Sequence, residues 1–305
     1  MNEIETNQGQ AHLVEVGPRD GLQNEAMLLS VEQKVELIHR LVDAGVRDIE
    51  IGSFVHPRWI PQMADTDEVA RRIEKREGVR YWALVPNLKG LERALDAGIE
   101  HVAVFMSSSE SHNQKNLNRS MAQSLASVQE TCGRALDAGA QVRAYLSTVF
   151  GCPFEGEVDF STVLELTAQL LDFGAFQVSL GDTIGIGTPL QVRQGCTLAL
   201  DRFGTEKIAL HLHDTRGLAV ANALVAFEVG VRVFDASVGG MGGCPYAPGA
   251  AGNLATEDLV NLWESIGAGS SVDLDEICRT STWLESEVGL DLPSAYLRYW
   301  KSHHP

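Results

Sequence analysis

The sequence predicts an α/β protein, a (β/α)8 TIM barrel with a C-terminal helical extension, on three observations. A unit of helix, glycine and apolar strand recurs along the chain. Eight strand candidates alternate with helical segments between residues 12 and 236. Those strands are short, apolar and β-branched, as in a parallel sheet buried on both faces. A doubly wound open sheet is the competing architecture. No Gly-x-Gly-x-x-Gly follows the first strand, which counts against a dinucleotide-binding version of it.

The repeat is legible residue by residue. Asp43-Ala44-Gly45, Asp96-Ala97-Gly98 and Asp137-Ala138-Gly139 each precede an apolar run, as do Phe173-Gly174 and Val229-Gly230. Each glycine marks a helix end, where a left-handed C-cap is needed. The first helix starts after Ser30, and Gln33 completes a capping box. Val35, Ile38, Leu41 and Val42 then share one helical face. Strands are expected near residues 12–16, 46–51, 79–84, 100–106, 141–147, 175–180, 207–213 and 231–236. The run Gly181 to Pro189 has some likeness to a phosphate-cradling loop, but its spacing matches no P-loop. It reads as a helix entry, with Pro189 near the first helical position. Beyond about residue 272 the repeat stops, and the tail through Trp283 to Trp300 reads as helical. Residues 1–305 are expected to form one catalytic domain, with the extension at about 272–305. Met1 to Gln10, polar and without periodicity, are expected to be disordered.

Composition narrows the function. A length of 305 residues with 44% hydrophobic content supports one large core. The formal net charge of −17 repels nucleic acid and anionic membrane surfaces, so neither is an expected partner. An anionic substrate must then be met by local cations, a metal or helix N-termini. Five cysteines, an odd number with no Cys-x-x-Cys spacing, point to a reduced cytoplasmic protein without a disulfide framework. The N-terminus lacks the apolar run of a signal peptide, and no segment approaches the length of a membrane span.

Polar residues gather at the predicted C-terminal strand ends, where a barrel keeps its active site. Strand one ends in Arg19 and Asp20, strand two carries Glu50, strand six ends in Asp182, and strand seven carries His211 and His213. Two residues apart on a strand, both imidazoles face one side, which suits metal binding; two satisfied core histidines are the alternative. Asp20 and Asn253 complete an oxygen-rich set that favours Mg²⁺ or Mn²⁺ over a closed zinc site. Two histidines and a carboxylate also mark non-haem Fe(II) oxygenases. Arg19 either seals the barrel end as an ion pair or stabilises a developing oxyanion. Glu50, costly to bury alone, needs a partner, and Arg19 is the natural one. Asp182 either holds a water or a histidine in place or acts as a base. Strand eight runs into Gly239–Asp258, with six glycines, two prolines and the lone Cys244. Such a loop approaches a ligand closely and can move, so Cys244 reads as chemical rather than structural.

Five ordered motifs carry a family resemblance: Val14–Glu25 (VEVGPRDGLQNE), Ser53–Gln62 (SFVHPRWIPQ), Ser179–Gly185 (SLGDTIG), His211–Thr215 (HLHDT) and the loop Gly239–Asp258. Together they resemble the 3-hydroxy-3-methylglutaryl-CoA (HMG-CoA) lyases among the metal-dependent lyase barrels. The resemblance implies an eight-stranded barrel, a divalent cation (Mg²⁺ or Mn²⁺), and cleavage of an acyl-CoA substrate to acetyl-CoA and acetoacetate. It implies Asp20, His211, His213 and Asn253 as metal ligands, with Arg19 stabilising the enolate and Cys244 protonating it. Glu50 and Asp182 match further active-site positions, and His211 is counted among the catalytic residues as well. No separate organic cofactor site is implied. A homodimer or higher homo-oligomer is expected from the resemblance. One departure stands out: Arg216 follows Thr215 where many members carry tyrosine. Sister enzymes acting on citramalyl-CoA or longer 3-hydroxy-3-alkylglutaryl-CoA esters share the motifs, so the acyl group stays open. The lack of a transit peptide or peroxisomal ending fits a bacterial-type cytoplasmic enzyme.

Overall fold

The computed structural model describes residues 9–244 and 247–304, with side chains at 244–251 left aside. Eight parallel strands close into a barrel in chain order: β1 (His12–Glu15), β2 (Asp48–Ser53), β3 (Arg80–Leu84), β4 (His101–Ser107), β5 (Gln141–Ser147), β6 (Gln177–Asp182), β7 (Ile208–Leu212) and β8 (Val233–Ala236). The seam pairs β1 with β8, Val14 opposite Asp235. Helices α1 (Val31–Asp43), α2 (Thr66–Arg72), α3 (Leu88–Asp96), α4 (Glu110–Leu117), α5 (Met121–Asp137), α6 (Phe160–Asp172), α7 (Pro189–Phe203) and α8 (Ala219–Val229) lie between successive strands. α9 (Thr256–Ser265) follows β8 and its loop as the last helix of the barrel repeat, and the extension contributes α10 (Leu274–Trp283) and α11 (Ala295–His303).

Local chemistry starts and stops these elements. Ser30 and Gln33 form the capping box of α1, and Pro189 occupies the first turn of α7 behind the N-cap Thr188. The glycines of the helix–strand repeat take positive φ, Gly45 at 94° and Gly230 at 116° among them. At Gly45 a second constraint applies, because a Cβ there would lie 2.1 Å from the Ser271 carbonyl oxygen of the extension. Strand bounds shift by one or two residues from expectation at every strand but β5. β2 starts at Asp48 and runs on to Ser53, β6 runs Gln177–Asp182, and β7 stops at Leu212. His213 lies just past that end, in an isolated bridge to Asn253. Of the tail expected to be disordered, residues 1–8 lie outside the described residues.

The apolar core lies between sheet and helices, with Leu37, Ile38, Leu41, Ile49, Val142, Leu166 and Leu210 among its buried members. The lumen is different. Only Leu84, Ala103 and Tyr145, with Phe105 against them, form a small apolar cluster of their own. Around them the lumen carries charges bonded between strands that are not neighbours, Arg143 to Asp235 and Tyr145 to Glu50. A barrel interior this polar is stable only when its groups satisfy one another.

α9 and the extension together grip the start of the glycine-rich loop. Both carboxylate oxygens of buried Glu257 accept the Gly239 N–H, at 2.8 and 3.0 Å, and Ser281 donates to the same carboxylate. Ser294 N–H donates to the Gly239 carbonyl at 3.2 Å. Glu15, at the end of β1, accepts from Val238 N–H at 2.9 Å and from the Thr256 hydroxyl at 2.6 Å. The loop itself holds a short antiparallel ribbon, β9 (Gly243–Cys244) with β10 (Ala247–Ala251), where the sequence suggested irregular chain.

Candidate active site

β1 ends in a single π-helical turn, Gly17–Gly21, that buries Arg19 and Asp20 at the C-terminal mouth of the barrel. β7 supplies His211 from its last turn of pleat and His213 just beyond it. Asn253 arrives on the chain returning from the ribbon. The ring nitrogens His211 Nε2 and His213 Nε2 approach to 3.2 Å, and Asp20 Oδ2 lies 3.8 Å from His211 Nε2. One donor atom from each of the three residues falls within 4.8 Å of the others, and all three are buried. Asn253 Nδ2 donates to Asp20 Oδ2 at 2.9 Å and to the Met241 carbonyl at 3.0 Å. Its Oδ1 is buried with no hydrogen-bond partner.

These observations fit a metal centre. Two imidazole lone pairs so close cannot face each other without a proton or a cation between them. The unsatisfied Asn253 Oδ1 could serve as a further oxygen ligand, and Asp20 as an anionic one. Behind His211, its Nδ1 lies 3.4 Å from Asp235 Oδ2, within ion-pair range but without hydrogen-bond geometry, at the place where an outer carboxylate commonly orients a ligating histidine.

Electrostatics keeps these groups in ligand form. Burial opposes ionisation at Asp20, but Arg19, His211 and His213 hold its carboxyl well below the usual range. Burial, then neighbouring His211, lowers His213 to about 4, so it is a neutral imidazole at pH 7. Burial works against the charge of Arg19 too, yet Asp20 and Glu50 raise its pKa. Its Nε donates to Glu50 Oε2 at 2.6 Å, and Nη1 donates to Asp20. Arg19 therefore has both an ion-pair contact and a place beside the candidate ligands. Glu50 also accepts from Tyr145 OH at 2.9 Å.

Asp182 stands apart from this cluster. Its two oxygens accept Ile186 and Gly187 N–H, both at 3.0 Å, so the carboxylate shapes the loop after β6 rather than hydrogen-bonding a histidine. Burial pushes it up to about 6 against those two bonds. Cys244 is on β9, but its side chain lies outside the described residues. Three buried residues escaped the sequence reading: Arg143, Tyr145 and Asp235. Each is a polar residue inside an apolar strand run, such as Val233-Phe-Asp-Ala236, and that interruption was the available signal.

The model of the family described as HMGL-like matches residues 10–284. A hydroxymethylglutaryl-CoA lyase of Bacillus subtilis is 49% identical over 288 residues, spanning 94% of this chain and 96% of that protein. The crystal structure of a Bacillus subtilis HMG-CoA lyase superposes with a TM-score of 0.94 at 48% identity, covering 96% of this chain and 98% of that one. A second structure, an HMG-CoA lyase from Acinetobacter baumannii in complex with coenzyme A and 3-methylmalate, gives 0.91 at 40% identity over 98% and 96%.

Proposed function

The chain belongs to the HMGL-like family, and we propose that it cleaves 3-hydroxy-3-methylglutaryl-CoA to acetyl-CoA and acetoacetate with the residues at the C-terminal mouth of its barrel. The observation that carries the site assignment is the convergence of Asp20, His211 and His213 beside the unpartnered Asn253 Oδ1 and the Arg19 guanidinium. Asp20, His211, His213 and Asn253 would hold a divalent cation, Mg²⁺ or Mn²⁺, which would supply the Lewis acidity that eases loss of the substrate's tertiary hydroxyl proton. Asp182, whose two oxygens hold the loop after β6 and which burial raises to about 6, would be the carboxylate that exchanges that proton. The bond between the thioester α-carbon and the hydroxyl-bearing carbon then breaks. Its electron pair becomes the acetyl-CoA enolate, and the hydroxyl carbon becomes the ketone of acetoacetate. Arg19 stabilises the enolate oxygen, and Glu50 fixes the guanidinium that does so. Cys244 delivers a proton to the enolate carbon, completing the methyl group.

Residues 1–305 form one catalytic domain in this reading, with the extension as the support of its glycine-rich loop. A homo-oligomer, a dimer in the first instance, has apolar surface available at exposed Leu190 and Leu198 on α7. A cytoplasmic location agrees with the free, buried Cys132, Cys152, Cys196 and Cys278, and no described helix is long and apolar enough to cross a membrane.

Arg216, exposed on the β7–α8 turn where it acts electrostatically on Asp182, is the departure from the family pattern that leaves a sister substrate open. A competition assay with Mg²⁺, 3-hydroxy-3-methylglutaryl-CoA, citramalyl-CoA and a long 3-alkyl analogue separates the two. Fastest formation of acetyl-CoA with acetoacetate is the expected result. Preference for another thioester moves the substrate and keeps the chemistry, while cleavage of none removes the lyase assignment.

A further inference from the structure

Arg143 takes no part in the chemistry above, yet it is 1% exposed at the centre of the lumen. Its guanidinium divides its donors among three strands. Nη2 donates to Asp235 Oδ1 on β8 at 2.6 Å, Nη1 to Tyr145 OH on β5 at 2.7 Å, and Nε to Gln177 Oε1 on β6 at 3.0 Å. Two branches leave it. Through Asp235, whose Oδ2 also accepts from the Ser179 hydroxyl at 2.7 Å, it reaches His211 Nδ1 at 3.4 Å. Through Tyr145, whose hydroxyl passes on to Glu50 Oε1, it reaches Arg19. The Tyr145 ring lies between the Arg143 and Arg19 guanidinium groups, 5.0 and 5.4 Å from its centroid, and stands edge-on to His211.

We propose that Arg143 is a positioning residue that sets both halves of the active site at once, the imidazole of His211 through Asp235 and the guanidinium of Arg19 through Tyr145 and Glu50. The inference rests on the metal-centre reading of Asp20, His211, His213 and Asn253. Its physical basis is the rigid planar fork of arginine, which holds two acceptors in fixed relation, as a lysine ammonium on a flexible stem cannot. A carboxylate behind a ligating histidine fixes the ring and its proton, and loss of such a partner costs 10- to 100-fold in metal affinity or activity. Asp235 in turn is held in place by its buried ion pair with Arg143 at 2.6 Å. At its other end Arg143 lines a cavity of about 690 Å³ at the N-terminal mouth, where it touches no residue assigned to substrate. A charge that merely filled the barrel would serve as well as lysine.

The test measures Mn²⁺ binding, by electron paramagnetic resonance of the free ion, alongside kcat and KM on the full chain. Arg143→Lys keeps the charge and loses the fork. It is expected to weaken Mn²⁺ binding about tenfold and lower kcat at saturating Mn²⁺ about tenfold, with KM within about twofold. Asp235→Asn cuts one branch and should weaken Mn²⁺ similarly. Tyr145→Phe cuts the other and should lower kcat with Mn²⁺ affinity unchanged. A folded Arg143→Lys with wild-type Mn²⁺ affinity and kcat overturns the proposal. If that variant does not fold, wild-type Mn²⁺ affinity in Asp235→Asn overturns it instead. A wild-type protein that binds no Mn²⁺ brings down the metal centre itself, a separate result from either.

Discussion

His211 and His213 meet because an extended chain returns its side chains to one face every second residue. What makes the pair useful is its surroundings: an ionised Asp20, the neutral state imposed on His213, and an asparagine oxygen with no other partner. Arg19 shows the same dependence. Its neighbour in sequence, Asp20, and a carboxylate 31 residues away, Glu50, together hold a guanidinium in a buried place. The residue whose role is most open to direct trial is Cys244. As the proton donor it should be indispensable to turnover and dispensable to folding. Cys244→Ser is expected to lower kcat by roughly 10²- to 10⁴-fold, the usual scale of general-acid catalysis, with an unchanged circular dichroism melt. Near-normal turnover in that variant removes the thiol from the mechanism.

At the scale of elements, the strands deliver the candidate ligands, and α9 with the helical extension holds the loop. α9 and α10 meet at Glu257, which grips Gly239 and takes a hydroxyl from Ser281. Glu15 grips the preceding residue, Val238, from the opposite side. Neither carboxyl has a cationic partner among its hydrogen bonds, and burial raises Glu15 to about 7 and Glu257 to about 8. The folded protein therefore holds these protons more tightly than the unfolded chain, whose glutamates titrate near 4.5. The stability they contribute is complete below that value and is lost as pH rises through about 7 and about 8. The free energy of unfolding should fall between pH 5 and about 8, read by urea titration at each pH. Glu257→Gln keeps an oxygen for Gly239 and should flatten that fall. A slope equal to wild type means that Glu257 is not the titrating group.

The whole molecule separates stability from chemistry. Its core lies in the layer between sheet and helices, while the candidate site residues sit in the lumen and at one mouth. Stripping the divalent cation should therefore abolish turnover while lowering the melting temperature only slightly, with activity restored by Mg²⁺ or Mn²⁺. Global unfolding on chelation would show instead that the ion is structural. The strongly negative chain has an additional consequence. An anionic thioester approaches against the long-range field, so the cations at the mouth have to act at short range.

Much of this protein is determined by the sequence alone. Periodicity and turn chemistry are local, so the glycine-ended helices, the capping box at Ser30 and the eight strands are written in neighbouring residues. The His-x-His spacing and the Arg19-Asp20 pair are equally local, and they point to the mouth of the barrel before any coordinates do. Tertiary structure alone decided which distant groups meet. It set Asp182 to hold a loop, and it brought Arg143, Tyr145 and Asp235 into one lumen. It also raised two buried glutamates, Glu15 to about 7 and Glu257 to about 8. The physical reason is closure of the sheet. β5 and β8 are far apart in sequence and not adjacent in the barrel, and only its lumen brings their side chains within hydrogen-bonding distance.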